Sequence, residues 1–93
     1  MRELERGMFA RSLAGHDKGQ LYIVLEAGER RVLLTDGKHR PIDKPKWKNR
    51  AHLQPDYEQS GVFTPEAVHP EERNAAIRKA IKNKEDLRCQ KQM

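Results

Sequence analysis

The chain has 93 residues, with 19 Lys and Arg against 14 Asp and Glu, a formal net charge of +5 and only 5% aromatic residues. A domain of this size buries only about 60% of its unfolded surface, so we expect one small core. No apolar stretch approaches the roughly 20 residues of a membrane span, and the N-terminus lacks the apolar segment of a secretory signal. The single cysteine, Cys89, rules out an internal disulfide. These features favour a cytoplasmic protein without a membrane partner.

A first strand is predicted over residues 7–13, followed by a polar turn at residues 15–19, which we call the glycine loop. Its bounding residues, Gly15 and Gly19, allow positive φ and a close approach of the backbone to a phosphate. Lys18 carries a charge, and His16 offers a hydrogen bond or a stacking surface. Backbone N–H groups and Lys18 are therefore candidate phosphate ligands. The alternative is an ordinary hairpin loop that Lys18 merely keeps hydrated.

Two further strands are predicted over residues 21–26 and 31–35, which are apolar and separated by Ala27-Gly28-Glu29. The following Asp36-Gly37 pair favours a type I′ turn, so we expect residues 38–42 to return antiparallel, with Pro41 limiting that strand to a sheet edge. Residues 51–53 are candidates for a short closing strand. Four or five short strands in about fifty residues predict a small β-barrel.

The segment 38–50, which we call the basic segment, contains six basic residues and one acidic residue, Asp43. Two prolines stiffen it, and Trp47 stands among its lysines. A charge run is usually a solvated surface, but a stiff basic segment with an indole ring also suits phosphate contacts and base stacking. Trp47 has a second interpretation, as a cap on the core of the barrel. The basic residues are Lys38, Arg40, Lys44, Lys46, Lys48 and Arg50.

The second half of the chain is predicted to be a linker and a helix. Residues 55–69 are polar and contain prolines, whereas Pro70 suits the first position of a helix over about residues 70–88. Acidic residues near its start and basic residues near its end suit the helix dipole. We therefore expect a barrel at 1–54, a linker at 55–69 and a helical tail at 70–93. The apolar stripe is narrow, so we expect the helix to pack weakly or only on a partner; its members are Ala76, Ile77, Ala80, Ile81 and Leu87.

The residues from Gly15 to Leu25, together with those from Leu33 to Gly37, resemble the KOW motif. The form is that of the fourteen-e type of large-subunit ribosomal protein, and bacterial KOW-domain RNA-binding proteins look closest. The shared order is a loop ending in Lys-Gly, a long hydrophobic strand, a turn, and a second strand ending in Asp-Gly. Gly19 matches the characteristic glycine. Tyr22 departs from the commoner form, which has a second glycine there, and this favours the fourteen-e type over transcription-elongation KOW domains.

The resemblance covers about residues 7–54 and implies an SH3-like β-barrel that binds structured RNA without catalysis. Implied partners are ribosomal RNA of the large subunit and neighbouring ribosomal proteins. The fold class expected is thus mainly β, with a small SH3-like (KOW) barrel, a linker and a C-terminal α-helix. From the residues and the resemblance together, the predicted RNA-binding residues are Arg11, Gly15, His16, Lys18, Gly19, Lys38, Arg40, Lys44, Lys46, Trp47, Lys48 and Arg50.

The sequence shows no pattern typical of catalysis or metal binding. Its four histidines and Cys89 are scattered without the close pairs of a zinc site, and no nucleophile elbow, His-Glu-x-x-His helix or P-loop is present. We expect no cofactor, metal or small-molecule substrate. Two alternatives remain open: a protein-interaction SH3-like module, which would need Trp47, Tyr57 and Phe63 to converge, and a DNA-binding or transcription-associated KOW domain.

Overall fold

A computed structural model describes residues 3–63 and 69–91, without the side chains of residues 88–91. The predictions for Cys89 and for residues 64–68 of the linker lie outside this description. Within it, none of the helices has the length and apolar character needed to cross a bilayer. The elements are β1 (Met8–Ser12), β2 (Leu21–Ala27), β3 (Arg31–Thr35), β4 (Lys46–Asn49), a 3₁₀ turn (Arg50–His52), β5 (Leu53–Gln59) and α1 (Pro70–Lys91).

The five strands form one antiparallel sheet in the order β4-β3-β2-β1-β5. The prediction of a mainly β protein with a C-terminal helix is confirmed, as are the first three strands. The sheet is not closed into a barrel, because β4 and β5 remain its two edges.

Both faces of the sheet are covered by apolar side chains. Successive residues of a strand point to opposite faces, so Tyr22 and Val24 of β2 lie in one core, whereas Leu21 and Ile23 lie in the other. The first core consists of Leu4, Met8, Ala10, Tyr22, Val24, Val32, Leu34 and Leu53. The second core, which joins the sheet to α1, consists of Phe9, Leu21, Ile23, Val62 and Ile77.

The predicted strand over residues 38–42 is wrong. The Asp36 carboxylate accepts hydrogen bonds from the backbone N–H groups of Lys38 and Arg40, both at 2.8 Å, and this folds the chain into a longer loop. Asp36 does not have the positive φ that a type I′ turn requires. The strand that pairs with β3 begins only at Lys46, after Pro45.

The predicted closing strand at 51–53 is displaced towards the C-terminus: a strand is present, but only Leu53 of the predicted residues belongs to it. The Asn49 side chain accepts a hydrogen bond from the Ala51 N–H at 2.8 Å and starts a 3₁₀ turn instead. β5 begins at Leu53 and continues through residues 55–59 of the predicted linker, so the sheet extends beyond residue 54. Pro55 fits this strand because β5 is an edge.

Helix α1 packs against the sheet; of the two alternatives, weak packing or packing only on a partner, the second is wrong. Ile77 is fully buried in the second core. Lys84 forms ion pairs with Asp56, at 2.8 Å, and with Glu58, both in β5. Burial disfavours the charged form of Lys84, but these two carboxylates outweigh burial and raise its pKa. Ion pairs on the flank of the narrow apolar stripe therefore help to fix the helix.

Candidate nucleic-acid interface

The topology brings two polar loops to one end of the sheet. Pairing of Arg11 with Leu21, of Ile23 with Thr35 and of Leu34 with Lys46 places the β1–β2 loop beside the β3–β4 loop. The first contains the glycine loop, and the second contains the first half of the basic segment. We call this edge of the molecule the loop end; its exposed cations are Lys18, Lys38, Arg40 and Lys44.

Backbone donors of the glycine loop already form hydrogen bonds within the protein. Gly15 and Gly19 have φ of 86° and 91°, which allows the loop to close tightly. The N–H groups of Lys18, Gly19 and Gln20 donate to carbonyls of residues 15, 12 and 17, at 3.2, 2.8 and 2.9 Å. Two of the expected phosphate donors, the N–H groups of Lys18 and Gly19, are therefore occupied. The exposed side chains of His16 and Lys18 remain as contacts for a ligand.

The closed loop directs Asp17 into a cluster of hydrogen-bond donors from three strands. Its carboxylate accepts from Tyr22 Oη at 2.7 Å, Lys46 Nζ at 2.8 Å, Ser12 Oγ at 2.9 Å and Lys48 Nζ at 3.1 Å. The side chain of Asp17 is only 15% exposed, and those of Lys46 and Lys48 are 28% and 10% exposed. We call these five residues the Asp17 cluster.

The hydrogen bonds of the Asp17 cluster keep the Asp17 carboxyl group ionised. Burial alone would raise the pKa of Asp17, but the hydrogen bonds from Lys46, Tyr22, Lys48 and Ser12 together hold that pKa well below its usual range. Burial, followed by the neighbouring Asp17 carboxylate, raises the pKa of Tyr22 well above its usual range. Two ammonium groups against one carboxylate leave a single net positive charge in the cluster.

Strand register explains why two predicted RNA ligands point to Asp17. Lys46 lies opposite Leu34, and Lys48 lies opposite Val32, so both lysines share the face of the first core. Trp47, between them, projects from the opposite face. These lysines are therefore partly neutralised and less available to a phosphate than the cations of the loop end.

Trp47 is exposed, which contradicts its interpretation as a core cap. The residue is 46% exposed, and the guanidinium carbon of Arg31 lies 5.6 Å from the centre of its ring. Trp47 is the second residue of β4, counted from the loop end. An exposed indole beside an arginine is a suitable stacking surface for a nucleobase.

Two further predicted RNA ligands, Arg11 and Arg50, do not belong to the exposed cations of the loop end. Arg11 Nη1 donates to the Gly19 carbonyl at 2.7 Å, and the same guanidinium pairs with Glu85 of α1, so Arg11 connects the glycine loop with the helix. Arg50 follows the far end of β4 and lines a cavity with Glu29. The loop end thus brings together only Gly15, His16, Lys18, Gly19, Lys38, Arg40 and Lys44, with Trp47 beside them.

Two residues that organise the site were missing from the prediction. Glu85 is separated from Arg11 by 74 positions, and no local pattern links them. For Asp17, the alternation Lys46-Trp47-Lys48 has the period of a strand and places both lysines on one face, but it does not identify Asp17 as their partner.

Within the described residues, no three His, Cys, Asp or Glu side chains lie close enough together to hold a metal ion. Comparison with protein-family models finds no match for this chain, and comparison with curated proteins finds none either.

Proposed function

We propose that this protein is a non-catalytic RNA-binding protein that acts in the cytoplasm on ribosomal RNA. The observation that supports this most is the exposed Trp47, flanked by Arg31, beside a loop end with four exposed cations. In this proposal the sheet is a variant of the SH3-like KOW fold that the sequence resembles. The loop end supplies phosphate contacts, and Trp47 supplies a stacking surface.

The proposed contacts define how affinity responds to salt. Lys18, Lys38, Arg40 and Lys44 are each able to neutralise one phosphate. For single-stranded RNA, four such contacts give a slope of roughly −3 for the logarithm of the binding constant against the logarithm of salt concentration. The Asp17 cluster adds one net charge beneath these contacts and keeps the glycine loop closed.

Trp47 favours unpaired RNA over duplex DNA. A nucleobase has to be unstacked before it can lie on an exposed indole, and loops and bulges of RNA provide such bases. Duplex DNA offers the same phosphates but no free base face. Binding of duplex DNA would therefore account for the exposed cations of the loop end but not for the exposed Trp47.

The protein-interaction alternative has less support from the arrangement of the aromatic residues. Trp47 and Tyr57 lie on the two opposite edge strands, β4 and β5. Phe63 packs against the second core, with the guanidinium carbon of Arg6 4.3 Å from its ring centre. The three side chains that this alternative needs are thus distributed over separate parts of the sheet.

The test is a titration with a single-stranded oligoribonucleotide that follows Trp47 fluorescence. Stacking should quench the emission, and Trp47→Ala should weaken binding by about 1–3 kcal/mol. Trp47→Phe keeps an aromatic face and is the matched control, with a smaller loss. Both variants should unfold near the wild-type temperature because the side chain is half exposed. Equal affinity of the wild type and Trp47→Ala, or affinity independent of salt, contradicts the proposal.

Ribosomal RNA is tested separately by crosslinking in cells and sequencing of the attached RNA. Enrichment of one ribosomal RNA helix supports the proposed target. If the crosslinked fraction contains RNA of other classes instead, the protein binds RNA but its target is not ribosomal RNA.

A further inference from the structure

A cleft of about 290 Å³ lies between the β3–β4 loop and helix α1, next to the loop end and sharing Lys38 with it. Lys38 and His39 line it from the loop, and Arg78 and Lys82 line it from the helix. The two helical residues are four positions apart and so lie one above the other on the same helix face. The cleft therefore combines basic residues that are distant in the sequence.

The cleft carries an excess of positive charge. Lys38, Arg78 and Lys82 face a single acidic residue, Asp36. Asp36 is 7% exposed, and its carboxylate already accepts two backbone hydrogen bonds from the loop. A concave surface lined by one sign of charge concentrates the electric field and attracts an anion.

The two walls of the cleft are held together by direct contacts. Arg78 Nη1 donates to the Gly37 carbonyl at 2.6 Å, and the Ile42 N–H donates to Asn74 Oδ1 at 2.8 Å. At Gly37, an added Cβ would lie 2.5 Å from the Asn74 carbonyl, so the loop backbone lies directly on the helix. Because this geometry exists before any ligand arrives, an anion can bind without reorganising the walls.

The cleft continues from the loop end. Gln20, which directly follows the glycine loop, is one of its lining residues. A strand of RNA lying across Lys18 and Lys38 would therefore have its next phosphates near α1. Every nucleotide of the strand carries a phosphate, so successive phosphates can contact neighbouring basic sites.

We propose that a phosphate group of the bound RNA occupies this cleft, with Lys38 and Lys82 as ligands and Arg78 holding the walls in place. This inference rests on the proposed function and extends it, because it makes α1 part of the RNA-binding surface. Inorganic phosphate has the same chemistry as a phosphodiester, so the test includes both.

The test compares Lys82→Gln and Lys38→Gln with Lys79→Gln. Lys79 is an exposed residue of the same helix, and its replacement removes the same charge, but it lines a different cavity, between α1 and β5. Each cleft variant should weaken binding of a single-stranded oligoribonucleotide about threefold or more and reduce the magnitude of the salt slope by about one. Lys79→Gln should change affinity less than twofold. In the wild type, the same oligoribonucleotide should shift the amide NMR resonances of residues 37–39 and 78–82.

If Lys82→Gln and Lys79→Gln lose the same affinity for the oligoribonucleotide, the inference that the cleft binds a phosphate is wrong. The proposed function still holds in that case if Trp47→Ala weakens binding. No RNA binding by the wild type rejects both proposals. If inorganic phosphate shifts the cleft resonances and the oligoribonucleotide does not, the cleft holds free phosphate and the inference is wrong. Melting temperatures of all three variants identify any loss that comes from unfolding.

Discussion

Replacing Asp17 by Asn removes the carboxylate that holds two lysines of β4 against the first core. The variant keeps the size of the side chain and one acceptor oxygen, so the change is mainly the loss of a negative charge. Lys46 and Lys48 then remain close together, with side chains 28% and 10% exposed and no counter-charge. We expect the folded state to lose stability.

The size of the loss follows from burial and from the number of charged hydrogen bonds. Removing one partner of a fully buried ion pair costs about 3–5 kcal/mol. Both lysines retain some exposure and can turn partly towards water, so we expect about 2–3 kcal/mol here. For a domain of this size, that corresponds to a fall in melting temperature of roughly 10–20 °C.

The loss should depend on pH with a defined sign. The folded-state pKa of Asp17 is lower than its unfolded-state pKa, so its carboxylate stabilises the folded state above the unfolded value of about 3.9, and this contribution disappears as pH falls further. The free energy of unfolding of the wild type should therefore exceed that of Asp17→Asn most clearly at about pH 7. The difference between the two should become smaller below about pH 4.

Urea unfolding followed by circular dichroism at several pH values measures these differences. Asp43→Asn is the matched control, because Asp43 is an exposed acid of the basic segment and its replacement should change stability by less than about 0.5 kcal/mol. If Asp17→Asn unfolds with the same free energy as Asp43→Asn, or if its deficit is independent of pH, the reasoning about the Asp17 cluster is refuted.

Three further variants test the packing that positions the site, each by urea unfolding. Ile77→Ala should cost about 2–4 kcal/mol, since this side chain is fully buried between α1 and the sheet. Gly37→Ala should cost more than about 1 kcal/mol, because it combines a positive φ of 74° with a clash against the Asn74 carbonyl. Tyr22→Phe should cost about 1 kcal/mol through the lost hydrogen bond to Asp17.

Matched positions provide the controls for these variants. Leu87→Ala, on the same helix but 56% exposed, should be nearly neutral, and equal losses at residues 77 and 87 would contradict the buried interface. Gly61 has a similar φ of 76°, and no atom of residues 3–63 or 69–91 lies within 4 Å of its missing Cβ, so Gly61→Ala is the comparison for backbone strain. If Gly37→Ala is no worse than Gly61→Ala, the loop does not press on the helix. If Tyr22→Phe has the same free energy of unfolding as the wild type, the hydrogen bond from Tyr22 to Asp17 does not stabilise the fold.

The main strands and the helix were predictable because their signals are local. Residues 21–27 and 31–35 are apolar runs separated by a turn, and Pro70 starts a helix that continues to Lys91. The prediction of a tight turn at Asp36-Gly37 was wrong because the Asp36 side chain is compatible with two loop conformations. This side chain can support a tight turn or fold a longer loop, and the observed choice depends on contacts of that loop with α1.

The position of β4 explains most of the differences in the candidate site. Shifting a strand by one residue moves every side chain to the other face, so the functions of Lys46, Trp47 and Lys48 could not be separated without the register. With the register known, Trp47 is exposed and the two lysines contact Asp17. The exposed cations of the loop end are a smaller set than the basic segment suggested.

The amino-acid sequence by itself determined the mainly β class, the first three strands, the helix and the concentration of positive charge after β3, because each depends on composition or on short-range periodicity. Only the tertiary structure decided that the sheet stays open, that Asp17 neutralises part of that charge, and that Arg11 connects the glycine loop with Glu85. These features arise from contacts between residues far apart in the chain. Their formation depends on strand register and burial, which no local pattern of this sequence specifies.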